Sequence, residues 1–231
     1  MEASSLRAPI KAVLFDVDGT LVNTVEMIIH GLRDAYSHLI QKQFSDDELR
    51  RLIGIPLRVQ MNLYGMDEMR SPNLDERERY TMDRYIVHSD KIRLWSEVTE
   101  AYEAVCDRFP TALVTSRNRE ELDWMITKVP VLRKSKVTVS ATEVSRPKPD
   151  PEPALLACEL LNLHPSETVF IGDATHDIHC AKSAGIQSVA VTYGSAQRED
   201  LVAASPDFLI DSPEEFRAWV KNNLLTEKHA K

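Results

Sequence analysis

A short apolar run that ends in two carboxylates constrains this chain more than any other segment. Ala12–Phe15 has the composition of a strand buried on both faces, and Asp16-Val17-Asp18-Gly19-Thr20 follows it directly. Asp18-Gly19 is a strong turn signal, so we expect Asp16 at the carboxyl end of a central strand. Ligands bind outside such strand ends in open α/β sheets. Taken alone, the stretch has two interpretations, an aspartate turn that caps the next helix or part of an active site.

The region after this strand contains only helical patterns. Apolar residues recur at three- and four-residue steps from Val25 to Ile40, which predicts an amphipathic helix. Shorter helices are predicted over 45–53 and 56–64, and a long one over 73–92. Because no strand signal interrupts this region, we predict a separate helical domain over residues 22–92, inserted into a catalytic core formed by 1–21 and 93–231.

From Leu94 onward, helical and strand patterns alternate. The predicted strands are Thr111–Thr115, Lys136–Ser140, Thr168–Ile171, Ser188–Val191 and Asp207–Ile210. The predicted helices are Glu97–Arg108, Arg119–Lys128, Glu152–Asn162, His176–Ala184 and Pro213–Leu225. Such alternation is typical of an α/β fold with a doubly wound parallel sheet.

Polar residues follow two of the later strands at or near their carboxyl ends. Thr115 and Ser116 could donate hydrogen bonds to a phosphoryl oxygen without adding charge, or Ser116 or Asn118 could simply cap the next helix. Lys148 lies between prolines in the segment 146–151, which presents its side chain from a stiff backbone. A point charge of this kind suits a phosphate or a carboxylate, and the alternative is an exposed lysine in a turn.

Another strand end carries further acids. Asp173 follows a predicted strand, and Asp177 comes four residues later. With Asp16 and Asp18, they would place up to four carboxylates in one crevice, which is unfavourable unless a hard cation joins them. The oxygen ligands indicate Mg²⁺.

Composition excludes several classes of function. The chain has 231 residues, 28% of them charged, and a net charge of −8, so it lacks the basic stripe that nucleic-acid binding requires. Cys106, Cys158 and Cys180 are widely spaced and are interpreted as reduced thiols, and His176 and His179 as surface or packing residues. No stretch predicts a signal peptide or a membrane span, so we expect a cytoplasmic protein with no membrane partner.

The order of four motifs resembles the haloacid dehalogenase-like hydrolase superfamily. These motifs are Asp-x-Asp-Gly-Thr at 16–20, a strand followed by Thr-Ser at 115–116, Pro-Lys-Pro-Asp-Pro at 147–151 and Gly-Asp-x-x-x-Asp at 172–177. The resemblance covers nearly the whole chain and implies a Rossmann-like core. The helical insert resembles the small helical cap of phosphoglycolate phosphatase-like and pyrophosphatase-like members.

The resemblance implies a role for each motif. Asp16 would be the nucleophile that forms an aspartyl-phosphate, and Asp18 would be the general acid and then the general base. Thr115, with the Ser116 amide, would bind the transferring phosphoryl group. Lys148 would stabilise Asp16 and the developing phosphoryl charge.

The resemblance also implies a metal site and places specificity in the helical insert. Mg²⁺ would bridge Asp16, the backbone carbonyl of Asp18 and Asp173, and Asp177 would anchor metal waters or the lysine. Arg58 is the candidate for an anionic group on the leaving side, although it could equally be a solvated arginine on a helix. Arg117 is a weaker candidate.

Departures from the family pattern fall where the insert meets the core. The first motif continues as Leu21-Val22-Asn23-Thr24 where members often have Leu-Val-Asp-Ser, and the returning segment reads Trp95-Ser96-Glu97 where members often have Pro-Gly. Both departures leave the chemical motifs intact and put substrate shape and movement of the insert in doubt.

The implied function is a Mg²⁺-dependent phosphatase that hydrolyses a small phosphorylated metabolite, phosphoglycolate-like or a sugar phosphate. A pyrophosphatase and a phosphomutase are the alternatives within the superfamily, and Thr20 disfavours the mutase because mutase-like members tend to lack it. Asp18 disfavours a dehalogenase, since that reaction has no leaving oxygen to protonate. A non-catalytic binding protein on the same fold would be expected to lose one of these residues. The sequence identifies neither the substrate nor the oligomeric state.

Overall fold

A single parallel sheet organises the computed structural model, which describes residues 6, 9–66 and 73–226. Within these residues the sheet has six strands: β1 (Ala12–Phe15), β2 (Thr111–Val114), β3 (Val137–Val139), β4 (Thr168–Gly172), β5 (Gln187–Val191) and β6 (Phe208–Ile210). Their spatial order is β3-β2-β1-β4-β5-β6, and every pair is parallel. The chain builds outward from β1 to β3 and then returns to place β4 on the other side of β1. The predicted doubly wound sheet is therefore confirmed, and its topological switch point lies between β1 and β4.

Helices flank the sheet and fill the stretch between β1 and β2. Those in the described residues are α1 (Val25–Leu39), α2 (Asp46–Arg50), α3 (Leu57–Leu63), α4 (Leu74–Val87), α5 (Ser96–Cys106), α6 (Arg119–Lys128), α7 (Glu152–Leu161), α8 (Thr175–Ser183), α9 (Arg198–Ala203) and α10 (Pro213–Asn223). Side chains of Ser45, Asn73 and Asn118 accept hydrogen bonds from backbone amides of the first turn. These N-caps explain why α2, α4 and α6 begin where they do.

The central strand is apolar throughout because both of its faces are covered. Val13 and Phe15 pack into one layer of the core, where Phe15 meets Tyr102 of α5 edge to face with ring centroids 5.3 Å apart. Leu14 packs into the opposite layer with residues of α7 and α8 such as Ala157 and Cys180. Alternate side chains of a strand point to opposite faces, so two helical layers require a continuous apolar run.

Two elements differ from the sequence expectations. The long helix predicted over 73–92 ends at Val87, because His88 leaves the helical region (φ −94°, ψ 15°) and a 3₁₀ turn over Ser89–Lys91 follows. Helix α9 was not predicted. It is six residues long with one buried residue, Leu201, so its apolar pattern is too short to show a period.

The segments that lead into and out of the helical insert lie side by side. Asn23 and Arg93 exchange backbone hydrogen bonds of 3.0 and 3.1 Å in an antiparallel bridge. This bridge lies close to the predicted boundaries at residues 22 and 92, although the division into two domains stays a prediction. None of the helices in the described ranges is both long and apolar enough to cross a membrane.

Gly31 sets how closely α1 and α4 approach. A β-carbon at this position would overlap the ring of Tyr85 and crowd its backbone nitrogen. A glycine inside a helix costs roughly 1 kcal/mol relative to alanine. Gly31 therefore lowers the stability of helix α1, but it leaves the space in which the Tyr85 ring is held.

We expect Gly31→Ala to destabilise the protein, by about 1–3 kcal/mol in urea unfolding, although alanine is the better helix former. The added methyl group has to displace the Tyr85 ring. The double variant Gly31→Ala/Tyr85→Ala should show coupling in a double-mutant cycle, because the overlap then disappears. A Gly31→Ala protein as stable as the parent would contradict this packing.

Candidate active site

The sheet brings the first group of predicted site residues together. Asp16 follows β1, Thr115 follows β2 and Asp173 follows β4, and these three strands are neighbours with β1 in the middle. The Asp16 amide donates to the carbonyl of Ile171 at 2.9 Å, which continues the pairing of β1 with β4 up to the acid. The carboxyl ends of these strands therefore form one polar edge beside the switch point.

Lys148 reaches this edge from the segment between β3 and α7. Its ammonium donates to Asp16 Oδ1 at 2.7 Å, to Asp177 Oδ1 at 2.6 Å and to the carbonyl of Val114 at 3.1 Å. All three of its protons are used, and only 4% of the residue is exposed. The alternative of an exposed lysine in a turn therefore does not apply.

Burial and the interactions among these charged side chains shift their pKa values. Burial raises the pKa of Asp16 well above its ordinary value, Lys148 opposes the shift, and Asp177 and Asp173 add to it. Burial would lower the pKa of Lys148, but Asp16 and Asp177 raise it above its ordinary value. The lysine therefore stays charged, and one ammonium faces more carboxylates than it can neutralise.

Asp173 is held by hydrogen bonds from two other loops. Its Oδ1 accepts from the Thr20 hydroxyl at 3.0 Å, and its Oδ2 accepts from the amide and hydroxyl of Ser195 at 2.6 and 2.7 Å. β-Carbons at Gly19, where φ is +81°, or at Gly194 would overlap the Asp173 carboxylate. Burial and Asp177 raise the pKa of Asp173 to about 6 against these hydrogen bonds.

Three of the acids form a donor set for a cation. Asp16, Asp173 and Asp177 are buried, and one oxygen of each lies within 4.8 Å of the others. An all-carboxylate set with an uncompensated charge fits a hard divalent cation such as Mg²⁺. The Asp18 side chain does not belong to this set.

Asp18 instead pairs with Arg117. The guanidinium donates to both carboxylate oxygens, at 2.7 and 2.8 Å, and the Thr24 hydroxyl adds a bond of 2.6 Å to Oδ1. Arg117 is 5% exposed; burial would lower its pKa, but Asp18 raises it above the ordinary value. Sequence reasoning treated Arg117 only as a weaker candidate. Its position directly after Thr115-Ser116 at a strand end is the signal that could have identified it.

The remaining predicted residues are placed differently from one another. The Thr115 hydroxyl accepts from the amide of Arg117 at 3.2 Å, so its own hydrogen is available to a ligand. The Ser116 hydroxyl donates to the carbonyl of Gly54 at 2.6 Å and so ties the core to the helical insert. Arg58 is half exposed and pairs with Asp75 and Glu78. It does not pair with the acids at the strand ends.

A small chamber lies above the acids, with a volume of about 40 Å³. It is partly open and is lined by both parts of the chain: Asp16, Asp18, Thr115, Ser116, Arg117 and Glu121 from the core, and Ile28, Ile53, Gly54, Ile55, Leu57, Gln60 and Tyr85 from the helical insert. Sequence reasoning missed Gln60, Tyr85 and Glu121, because each is a single polar residue in a helical pattern. A cleft of about 640 Å³ adjoins the chamber and shares Leu57, Ser116 and Glu121 with it.

Gln60 has a structural task in this chamber. Its amide group donates to the carbonyls of Leu52 and Ile55, at 3.0 and 2.8 Å, and its oxygen accepts from the Tyr36 hydroxyl at 3.0 Å. It therefore holds the loop around Gly54 in place and has little capacity left for a ligand.

Comparisons with known proteins agree with this geometry. The family model described as haloacid dehalogenase-like hydrolase matches residues 13–191. A putative pyrophosphatase PpaX of Clostridium perfringens is 29% identical over 205 residues, which cover 88% of this chain and 94% of that protein. The N-acetylmuramic acid 6-phosphate phosphatase of Pseudomonas aeruginosa is 30% identical over 215 residues, which cover 90% of this chain and 94% of that protein.

Solved structures give the same result. A putative beta-phosphoglucomutase from Thermotoga maritima is 28% identical, with a TM-score of 0.72, and the match covers 93% of this chain and 100% of that one. These findings confirm the predictions of superfamily, of fold class and of an enzyme, a phosphatase-type hydrolase. This chain, with carboxylates at the ends of neighbouring strands and a lysine that reaches them from the segment before α7, belongs to the haloacid dehalogenase-like hydrolase family.

Proposed function

We propose that this protein is a Mg²⁺-dependent phosphatase that hydrolyses a small phosphomonoester through an aspartyl-phosphate. The observation that carries the proposal is the buried contact of Lys148 with Asp16 and Asp177, close to Asp173 and to a small chamber that Asp16 lines. A carboxylate nucleophile needs a fixed position and a nearby positive charge. Both are present at Asp16.

Asp16 is the proposed nucleophile. Lys148 binds its Oδ1, which orients the carboxylate and leaves Oδ2 to attack phosphorus. Asp16, Asp173 and Asp177 would hold Mg²⁺, which would supply positive charge to the phosphoryl group and to the crowded acids. Thr115 would donate its hydroxyl hydrogen to a phosphoryl oxygen, and the contact from Ser116 would come from its amide, because its hydroxyl is bound to Gly54.

Asp18 is the proposed acid and base. In the first step it would protonate the leaving oxygen, and in the second it would accept a proton from the water that hydrolyses the aspartyl-phosphate. Arg117 binds both of its oxygens, which is the arrangement of an ionised carboxylate and suits the second step. In the first step Asp18 carries a proton, so one of these hydrogen bonds has to break.

We also propose that residues 22–92 act as a cap over the core. The Asn23–Arg93 bridge and the shared lining of the chamber support this role. The chamber is partly open and has a volume of about 40 Å³, so movement of the insert would make room for a substrate as large as a sugar phosphate. The role of Arg58 at the leaving group stays a prediction, since Arg58 would first have to exchange Asp75 and Glu78 for substrate.

A pyrophosphatase is the second candidate. The observation in its favour is the similarity to proteins named pyrophosphatase PpaX, at 29–30% identity over most of both chains. A cytoplasmic location is proposed as well. Its support is that Cys106, Cys158 and Cys180 are all free thiols.

We expect Asp16→Asn to lower the hydrolysis of p-nitrophenyl phosphate with Mg²⁺ by roughly 10³-fold or more, because the amide cannot attack phosphorus. The matched control is Asp123→Asn, at an exposed residue of α6 paired with Arg119, and it should keep full activity. Phosphate release and thermal unfolding are measured on the same preparations. Undiminished turnover by the Asp16→Asn protein would refute the mechanism.

The stability of the metal-free protein should fall as the pH rises. Burial raises the folded-state pKa of Asp173 to about 6 and that of Asp16 above its ordinary value, so the folded state binds extra protons. This contribution is complete below the unfolded pKa of about 4 and is lost as the pH rises through about 6. In EDTA, the stability of the parent relative to Asp173→Asn should therefore decrease between pH 5 and 7.5.

Mg²⁺ should reverse this loss, because it binds the deprotonated acids. At saturating concentration we expect it to raise the melting temperature by about 5–10 °C at pH 7.5 and by less at pH 5. Asp173→Asn should reduce the effect. An equal Mg²⁺ shift at both pH values, or in both proteins, would contradict the proposed donor set.

A further inference from the structure

One tyrosine that lines the chamber makes no hydrogen bond through its hydroxyl within the described residues. In the described part of the chain, the hydroxyls of Tyr36 and Tyr102 are both bonded, to Gln60 and to Leu132 and Ser135 respectively. The Tyr85 hydroxyl makes no hydrogen bond with any described residue, although only 5% of Tyr85 is exposed. The hydroxyl is not one of the fully buried polar atoms without a partner, and Tyr85 lines the chamber, so a ligand in the chamber can bind this hydroxyl.

The position of Tyr85 is fixed from two sides. Gly31 lets its ring pack directly against the backbone of α1, and the guanidinium of Arg117 lies 6.0 Å from the ring centroid. The residue lines the chamber together with Asp18, the proposed acid for the leaving oxygen. Its hydroxyl therefore serves the leaving-group side of the site.

Glu121 supplies an acceptor on the same side. It lines the chamber and is 4% exposed, and its Oε2 accepts from the amide of Asn118 at 2.9 Å. Its Oε1 has no hydrogen-bond partner among the described residues. Arg117 is bound to both oxygens of Asp18 and acts on Glu121 only through its nearby charge: burial raises the pKa of Glu121 above its ordinary value, and Arg117 opposes this shift.

We propose that Tyr85 and Glu121 form a subsite for a hydroxyl group of the leaving alcohol, so that the preferred substrates are phosphate esters of sugars or other polyols. A hydroxyl can accept from Tyr85 and donate to Glu121 at the same time. A carboxylate or a second phosphate could accept from Tyr85 but has no hydrogen to donate to Glu121, so it would satisfy only one of the two groups. This inference rests on the proposed phosphatase function and narrows its substrate class.

The surroundings of the chamber suit such a leaving group. The chamber holds little more than a phosphoryl group, so the rest of the alcohol has to extend into the cleft of about 640 Å³ that shares Glu121 with it. That cleft is lined by charged residues of both signs, among them Arg58, Glu78, Arg119 and Glu120, and also by the uncharged polar residues Asn62, Asn118, Thr142 and Ser145. The uncharged residues can bind further hydroxyls without a charge on the ligand.

The test compares three esters with two-carbon leaving groups: 2-hydroxyethyl phosphate, ethyl phosphate and 2-phosphoglycolate. Their kcat/KM values are measured with Mg²⁺ by phosphate release. The parent should prefer 2-hydroxyethyl phosphate over each of the other two by about tenfold or more, because only its hydroxyl satisfies both groups. A ratio of two substrates on one preparation does not depend on the folded fraction.

Two variants test the contributions of Tyr85 and Glu121 separately. Tyr85→Phe keeps the ring and should lower the preference for 2-hydroxyethyl phosphate over ethyl phosphate by about five- to tenfold. Glu121→Gln keeps an acceptor for the helix cap and should raise the rate with 2-phosphoglycolate relative to 2-hydroxyethyl phosphate. The control is Tyr80→Phe on the same helix, whose ring stacks on His38 outside the chamber, and it should leave all ratios unchanged.

The outcomes distinguish this inference from the proposed function. If the parent hydrolyses p-nitrophenyl phosphate but shows no preference for the hydroxyl ester, or if Tyr85→Phe keeps that preference, the subsite is refuted and the phosphatase stands. If the parent prefers 2-phosphoglycolate, the subsite is refuted as well. If the parent releases phosphate from none of these esters, the proposed function itself fails.

Discussion

The buried ion pair network of Lys148 is the interaction on which the rest of the structure depends. One ammonium is shared by Asp16 and Asp177 in a site from which solvent is almost excluded. Removing charged groups from water costs several kcal/mol per ion, and hydrogen bonds recover this cost only when the geometry is favourable. The lysine meets that condition, since each of its protons has an acceptor. Asp173 adds a third buried carboxylate to the group, so one lysine faces more acids than it can neutralise.

The fold assembles this group by placing strand ends and glycines where side chains have to meet. Asp16 and Asp173 lie on adjacent strands at the switch point of the sheet, far apart in sequence and close in space. Gly19 and Gly194 leave room for the Asp173 carboxylate, and Gly172 leaves room for Asp177, because a β-carbon at any of them would overlap these acids. The same principle recurs outside the acids, where Gly31 leaves room for the ring of Tyr85.

In the proposed mechanism, the two sides of the chamber have different chemical tasks. On the phosphoryl side, carboxylates and one lysine face the space where charge is transferred. On the leaving side, Asp18 and Arg117 neutralise one another, and Tyr85 and Glu121 remain with unused hydrogen-bonding capacity. Tyr85 of the second side belongs to the helical insert, Glu121 belongs to α6, and Asp18 and Arg117 lie in the loops after β1 and β2. Selectivity among phosphate esters is accordingly expected to arise from the second side.

The sequence by itself determined the parallel sheet, the helical stretch inserted after β1, and the acids and the lysine that meet at the strand ends. Each of these features is encoded by a local pattern: an apolar run, a helical period or a short polar motif. The end of α4 escaped it, because the helix predicted to residue 92 stops where the backbone of His88 leaves the helical region, and α9 escaped it because six residues are too few to show a period. Only the tertiary structure decided the partners of Arg117, Tyr85 and Glu121. Each is a single polar residue whose neighbours come from distant parts of the chain, and no local pattern records a contact between segments that meet only when the insert packs on the core.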